Sequence, residues 1–139
     1  MTSETVIVAK CSKHFAGKGY AVTAEVPIGR KVADLYCVHR QSGECVAVEA
    51  KLRDWPAAVT QALVYQLGAD RVFIAMPADV VGRVRLEELA THGIGLLSVS
   101  EKKVRLVLDA EQSAVRRPMF VQRAVSVLGA KASVASLWA

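Results

Sequence analysis

The sequence contains no long apolar run. None of its 139 residues lies in a stretch approaching about 18 consecutive apolar residues, which excludes a membrane-spanning helix. The first residues, Met1-Thr2-Ser3-Glu4, lack the basic start and apolar stretch of a secretory signal. Proline and glycine are sparse (four and nine residues), and 53% of the residues are hydrophobic, so intrinsic disorder is not expected. We therefore expect a globular cytoplasmic protein.

Cysteine and histidine are also few, with three of each. Cys11, Cys37 and Cys45 form no C-x-x-C pair, which indicates reduced thiols in a cytoplasm rather than disulfides or a zinc site. We expect Cys37 and Cys45 to be small core residues. The histidines are scattered without ligand-like spacing. The motifs G-x-x-x-x-G-K-[ST] and G-x-G-x-x-G are absent, which excludes those two nucleotide-binding loops.

Acidic residues are outnumbered by basic ones. The chain has 13 Asp and Glu against 18 Lys and Arg, a formal net charge of +5, which permits nucleic-acid binding. The last thirty residues differ in composition from the rest, and four basic residues against one acidic give them a net charge of +3. We therefore divide the chain into a domain over 1–109 and a basic, apolar helical extension over 110–139, in which Pro118 starts a helix that ends near Gly129.

Hydrophobic periodicity predicts alternating helices and strands. A first helix is capped by Ser3 or Thr2 and ends at Gly17, and a second is opened by Asp54 and Pro56. The predicted strands are 20–26, 31–39, 44–52, 71–76 and 94–99, with 104–108 as a further candidate; the second and third helices are 57–67 and 78–91. The order α-β-β-β-α-β-α-β predicts an α/β domain with a mixed β-sheet flanked by helices.

Charged residues converge on the hairpin formed by the second and third strands. If Ser42-Gly43 is a two-residue turn, Asp34 lies opposite Lys51, and Glu49 shares a face with Lys51. Two carboxylates and an ammonium in apolar surroundings are costly unless they pair with one another or hold a metal. Mg²⁺ accepts two carboxylates with water and phosphate. The alternative is an ordinary salt bridge between Lys51 and either carboxylate.

These residues resemble a known motif. Asp34, followed fifteen residues later by Glu49-Ala50-Lys51 at the end of a strand, is similar to the motif of the PD-(D/E)XK nuclease superfamily, whose fold is restriction endonuclease-like. The resemblance covers roughly residues 1 to 100, and residue 33 is alanine where the motif has its nominal proline. It implies that Asp34 and Glu49 bind Mg²⁺ or Mn²⁺ and that Lys51 assists hydrolysis of a phosphodiester in DNA.

The resemblance extends to the following helix and to a third acid. Gln61 and Tyr65 are similar to the Q-x-x-x-Y element of RecB-type members, and their spacing places them on one helix face. Many members add a glutamate from the first helix, for which Glu4 is the candidate and Glu25 on the first strand the competitor. An amphipathic helix with a polar pair is the alternative for Gln61 and Tyr65, and helix-dipole complementarity is the alternative for Glu4.

The sequence predicts a metal-dependent endonuclease over residues 1–109. Its expected cofactor is Mg²⁺ or Mn²⁺ and its expected partner is DNA, with RNA and the form of the substrate left open. A homodimer or a protein partner would supply specificity that so small a chain lacks, and the apolar segment Val125 to Trp138 is the candidate interface. The alternative is a catalytically idle module of the same fold that binds nucleic acid or protein. Candidate phosphate-binding residues are Arg30, Lys31, Arg53, Arg116 and Arg117.

Overall fold

A capped amphipathic helix opens the fold of the computed structural model, which describes the backbone of residues 2–137 and the side chains of residues 2–129. Helix α1 (Glu4–Ala16) begins where the Ser3 hydroxyl accepts a hydrogen bond from the Val6 amide, and it ends at Gly17. It buries Ile7, Cys11 and Phe15, which recur every four residues. The predicted cap and end of this helix are confirmed.

A three-stranded antiparallel meander follows α1. It consists of β1 (Tyr20–Ile28), β2 (Lys31–His39) and β3 (Cys45–Ala50). Strand β1 extends past the predicted end through Pro27, because an edge strand tolerates a residue that cannot donate a hydrogen bond.

The predicted register of the hairpin is wrong by two residues. Leu35 pairs with Val48, which excludes the predicted pairing of Asp34 with Lys51. The turn has four residues rather than two, closed by the His39 amide donating to the Glu44 carbonyl over 2.8 Å, and the His39 ring accepts two further amides of the turn. Because a shift of two residues keeps the pleat, the residues that are paired still point to the same face.

The central strands of the sheet run parallel to one another. Helix α2 (Trp55–Tyr65) is capped by Asp54, whose carboxylate accepts the Ala57 amide, as predicted. It connects β3 to β4 (Arg71–Pro77), and β4 is followed by α3 (Leu86–Thr91), β5 (Gly95–Val99), β6 (Val104–Leu108) and α4 (Pro118–Leu137). The sheet order is β1-β2-β3-β4-β5-β6, with β3, β4 and β5 parallel. The predicted α/β class, mixed sheet and element order are confirmed.

Two predicted helices have different bounds. The range 78–91 holds only a single 3-10 turn (Val81–Arg83) and the short α3, since the chain must first clear the end of β4. Helix α4 continues past Gly129, where the sequence predicted its end, to Leu137. Glycine favours a helix end mainly where the backbone turns left-handed, and a helix interior tolerates one at modest cost.

Helices cover the sheet on both faces and create two cores. Helix α1 packs over one face with Leu35, Val46 and Val48. Helices α2, α3 and α4 cover the other face, where Tyr36, Ala47 and Ile74 are buried. Within α4, Ala124 is fully buried in this second core. Because β3, β4 and β5 run in parallel, the segments that follow them emerge at one edge of the sheet. No helix among the described residues is long and apolar enough to cross a membrane.

Candidate active site

At Asp34, the regular alternation of side chains in strand β2 is interrupted, so that residues before and after it point to opposite faces of the sheet. Ala33 packs in the core beside α2, whereas Leu35 packs in the core beside α1, although residues two apart in a regular strand share a face. Opposite this point in β1, Glu25 adopts a φ of +57°, which costs a non-glycine residue about 1 to 2 kcal/mol. The Asp34 carboxylate accepts a hydrogen bond from the Ala50 amide over 2.8 Å. The distortion therefore fixes this carboxylate at the end of β3.

Glu49 is buried at the end of β3 on the side of the sheet that α2 covers. Its side chain is only 4% exposed and lies 2.7 Å from the Tyr65 hydroxyl. Burial raises the pKa of the Glu49 carboxyl to about 7, and the neighbouring Asp34 carboxylate adds to the rise. The Tyr65 hydroxyl and the positive charge of Lys51 act in the opposite direction. Asp34 and Lys51 are therefore both close enough to Glu49 to influence its carboxyl.

The Tyr65 hydroxyl links β2, β3 and α2. It lies 2.7 Å from both the Val32 carbonyl oxygen and a Glu49 carboxyl oxygen. A hydroxyl has one proton, which Tyr65 donates to the Glu49 carboxylate or to the Val32 carbonyl; when Glu49 is protonated, it can donate to Tyr65 while Tyr65 donates to Val32. Burial and Glu49 raise the pKa of Tyr65, so its hydroxyl keeps its proton. This chain of two hydrogen bonds joins the end of α2 to the site.

Gln61 lies one helical turn before Tyr65 on the same face of α2. Its side-chain oxygen is buried and has no hydrogen-bond partner among the described residues. A buried amide oxygen that accepts nothing is costly unless a ligand or water supplies a donor or a cation. This orphaned oxygen distinguishes Gln61 from an ordinary polar residue on an amphipathic helix.

Lys51 lines an open cleft of about 630 Å³ at the same edge of the sheet. Its backbone amide donates to the Ala75 carbonyl over 3.0 Å, which extends the β3–β4 pairing to the lysine itself. Within the described part of the chain, the two ion pairs are Arg71–Glu44 and Arg116–Asp70. The predicted alternative, a strand-end salt bridge of Lys51, is therefore not formed, and its ammonium remains available to the cleft.

Neither candidate for the third acidic residue completes a metal site with Asp34 and Glu49. Among the described residues, no group of three or more His, Cys, Asp or Glu side chains is close enough to hold a metal ion together. Glu4 is exposed at the start of α1, where it lines the Lys51 cleft, while Glu25 is exposed on β1. Asp79 also lines this cleft. No sequence signal pointed to Asp79, because it lies in a segment predicted to be helical.

The donor set suits a magnesium ion that keeps part of its water. Mg²⁺ binds through one or two carboxylates and completes its octahedron with water and substrate phosphate. Asp34 and Glu49 provide the two carboxylates, and the unpartnered Gln61 oxygen is a ready acceptor for a metal-bound water. The residues present therefore fit the group that the sequence predicted.

The five predicted phosphate-binding residues are divided between the two ends of the sheet. Arg30 and Lys31 are exposed in the β1–β2 turn, and Arg53 lines the Lys51 cleft, all at the edge that carries the site. Arg116 instead pairs with Asp70 over 3.1 Å at the start of β4, at the opposite edge. Arg117 is exposed just before α4. Contact with nucleic acid remains a prediction for all five.

All three cysteines are buried free thiols. Burial raises the pKa of Cys11 to about 12 and also raises that of Cys37 and Cys45. The prediction that Cys37 and Cys45 are core residues is confirmed. The predicted interface, Val125 to Trp138, extends beyond the described side chains, which end at residue 129.

We expect Glu49→Gln to stabilise the metal-free protein at neutral and alkaline pH. The folded-state pKa of Glu49, about 7, lies above its ordinary value of 4.5, so its contribution to stability is full below pH 4.5 and is lost as the pH rises through 7. Glutamine is never ionised, so at pH 8 the variant should exceed the wild type by about 2 to 3 kcal/mol. Urea unfolding in EDTA at pH 5 and pH 8 measures the difference, with the exposed Glu88→Gln as the control. An equal difference at both pH values would contradict the shifted pKa.

Comparisons with known proteins extend only to the fold. No family model matches the chain, and no curated protein is similar to it in sequence. A solved structure of a protein of unknown function from Silicibacter pomeroyi superposes with a TM-score of 0.73 at 17% identity, over 98% of this chain and 92% of that one. A repair endonuclease from Pyrococcus abyssi superposes with a TM-score of 0.50 at 16% identity, over 72% of this chain and 48% of that one. This chain thus spans about half of the endonuclease, and both likenesses show a shared fold alone.

Proposed function

We propose that this protein is a metal-dependent endonuclease that hydrolyses phosphodiester bonds in DNA. The observation that carries the proposal is the meeting of Asp34, Glu49 and an unpaired Lys51 at one sheet edge. The fold shared with a repair endonuclease agrees with this assignment. The net charge of +5 favours a polyanionic substrate.

Each residue has a distinct role in the proposed reaction. Asp34 and Glu49 would hold Mg²⁺ or Mn²⁺, which when bound supplies an activated water and stabilises negative charge. Lys51 would orient the attacking water and balance the charge that develops on the phosphate oxygens. Gln61 would position the water, and Tyr65 would position Glu49. Hydrolysis forms one bond between phosphorus and the water oxygen and breaks one phosphodiester P–O bond.

A binding module without catalysis is the second candidate. It is favoured because no third carboxylate of the described residues lies close enough to Asp34 and Glu49 to share a metal ion with them. Such a module would retain DNA in a salt-dependent manner without cutting it under any divalent ion. A protein partner or a second copy would then be needed for any reaction on the bound DNA.

A cleavage assay distinguishes the two candidates. We expect the purified protein to cut at least one of four substrates (plasmid, linear, single-stranded or branched DNA) in Mg²⁺ or Mn²⁺ and none in EDTA, because two carboxylates alone do not activate water. Gel analysis of time courses provides the measurement, and the preferred substrate identifies the form of DNA recognised. Binding without cutting on all four would reject the endonuclease in favour of the module.

A further inference from the structure

Four lysines from two separate elements meet at an open cleft on the α1 face of the sheet. Lys10 and Lys13 lie on α1, while Lys102 and Lys103 lie in the turn between β5 and β6. The cleft has a volume of about 380 Å³, and we refer to it as the lysine cleft. Its remaining lining residues are His14, Glu101 and Val104.

The positive charge of the lysine cleft is poorly compensated. Lys10 donates a hydrogen bond to the Ser100 carbonyl over 3.0 Å, which brings α1 and the β5–β6 turn together. Glu101 is the only acid in the lining, and neither ion pair of the described residues involves the cleft. Like charges gathered in this way repel one another, so the arrangement favours an anion with several charges.

The lysine cleft lies at the same edge of the sheet as the candidate active site. The β5–β6 turn follows β5, which runs parallel to β3, and Lys51 follows β3. Helix α1 connects the two clefts, because Glu4 lines the Lys51 cleft and Lys10 and Lys13 lie about 9 and 14 Å further along the axis. These distances are short enough for one DNA strand to contact both clefts.

We propose that the lysine cleft binds the phosphodiester backbone of the DNA within a few nucleotides of the bond that is cut. The strand would lie along α1 from the Lys51 cleft to Lys102 and Lys103. This inference rests on the proposed function for the position of the cut. Ammonium groups contact phosphates without reading bases, so the contact is independent of sequence. A membrane surface is disfavoured because Val104 is the only apolar residue in the lining.

The double substitution Lys102→Gln/Lys103→Gln tests the proposed contact in the full chain. Both side chains are exposed, so folding should be unaffected, which thermal unfolding would verify. We expect the affinity for a labelled duplex in EDTA to fall about 10-fold, and the slope of log affinity against log salt to decrease by about 2. Fluorescence anisotropy between about 50 and 200 mM salt provides both values.

The control is Arg40→Gln/Arg123→Gln, which removes the same charge at two exposed positions outside the lining of the lysine cleft. If the DNA affinity and the salt slope of the lysine variant equal those of the wild type, the inference is overturned even if the wild type cuts DNA. Equal losses in both variants would also overturn it, because net charge alone would then explain them. If phosphatidylserine vesicles bind more tightly than DNA and lose binding in the lysine variant, a membrane surface is the partner instead. If the wild type binds DNA but never cuts it, and only the lysine variant loses this binding, the backbone contact is retained and the endonuclease is rejected.

Discussion

Lys51→Ala is expected to abolish DNA cleavage while leaving DNA affinity nearly unchanged. The Lys51 ammonium is without an ion pair among the described residues and lines the cleft beside Glu49, so its loss removes charge stabilisation that matters most in the transition state. Removal of one such donor typically lowers the rate by about 100- to 1,000-fold. The fold should persist, because β4 contacts the Lys51 backbone amide rather than the side chain. Single-turnover cleavage in Mg²⁺ and anisotropy in EDTA measure the two quantities.

The matched control for this substitution is Lys18→Ala. Lys18 is an exposed lysine in the turn after α1, at the opposite end of the sheet. Its removal changes the net charge equally and should leave the rate within about twofold, since a remote surface charge is largely screened by salt. Wild-type activity in the Lys51 variant would remove this lysine from the mechanism, whatever the control shows.

Asp34→Asn is expected to remove metal-dependent cleavage without unfolding the protein. Asparagine keeps an acceptor oxygen for the Ala50 amide, so the hydrogen bond that holds the end of β3 is retained. It loses the negative charge that a divalent cation requires, and we expect cleavage at least about 100-fold slower at saturating Mg²⁺. Titration with Mn²⁺ by calorimetry should show weaker metal binding in the absence of DNA.

Comparison with Asp34→Ala separates the structural and the metal-binding roles. Alanine leaves the Ala50 amide without its acceptor, so this variant should also lose about 1 to 2 kcal/mol of unfolding free energy. Asp109→Asn, at an exposed position after β6, is the control for the loss of a carboxylate. Full metal affinity in Asp34→Asn would reject Asp34 as a ligand, and equal stability of the two Asp34 variants would reject its role in holding β3.

Local sequence signals were sufficient for most of the elements. Ser3 and Asp54 identified the starts of α1 and α2, because a cap is a hydrogen bond between near neighbours. Other local signals were misleading. The Ser42-Gly43 pair suggested a two-residue turn, but the His39 ring accepts amides within a four-residue turn. Gly129 suggested an end to α4, but the helix continues.

The sequence by itself determined the order of the elements, because helix and strand periodicity are local properties of the chain. The tertiary structure decided the geometry of the site. The burial that raises the pKa of Glu49 depends on how α2 packs on the sheet, and so does the contact of Tyr65 with Glu49. The lysine cleft also arises only in three dimensions, since Lys10 and Lys103 are far apart in sequence. Burial and proximity are properties of packed surfaces, and these form only after distant segments of the chain meet.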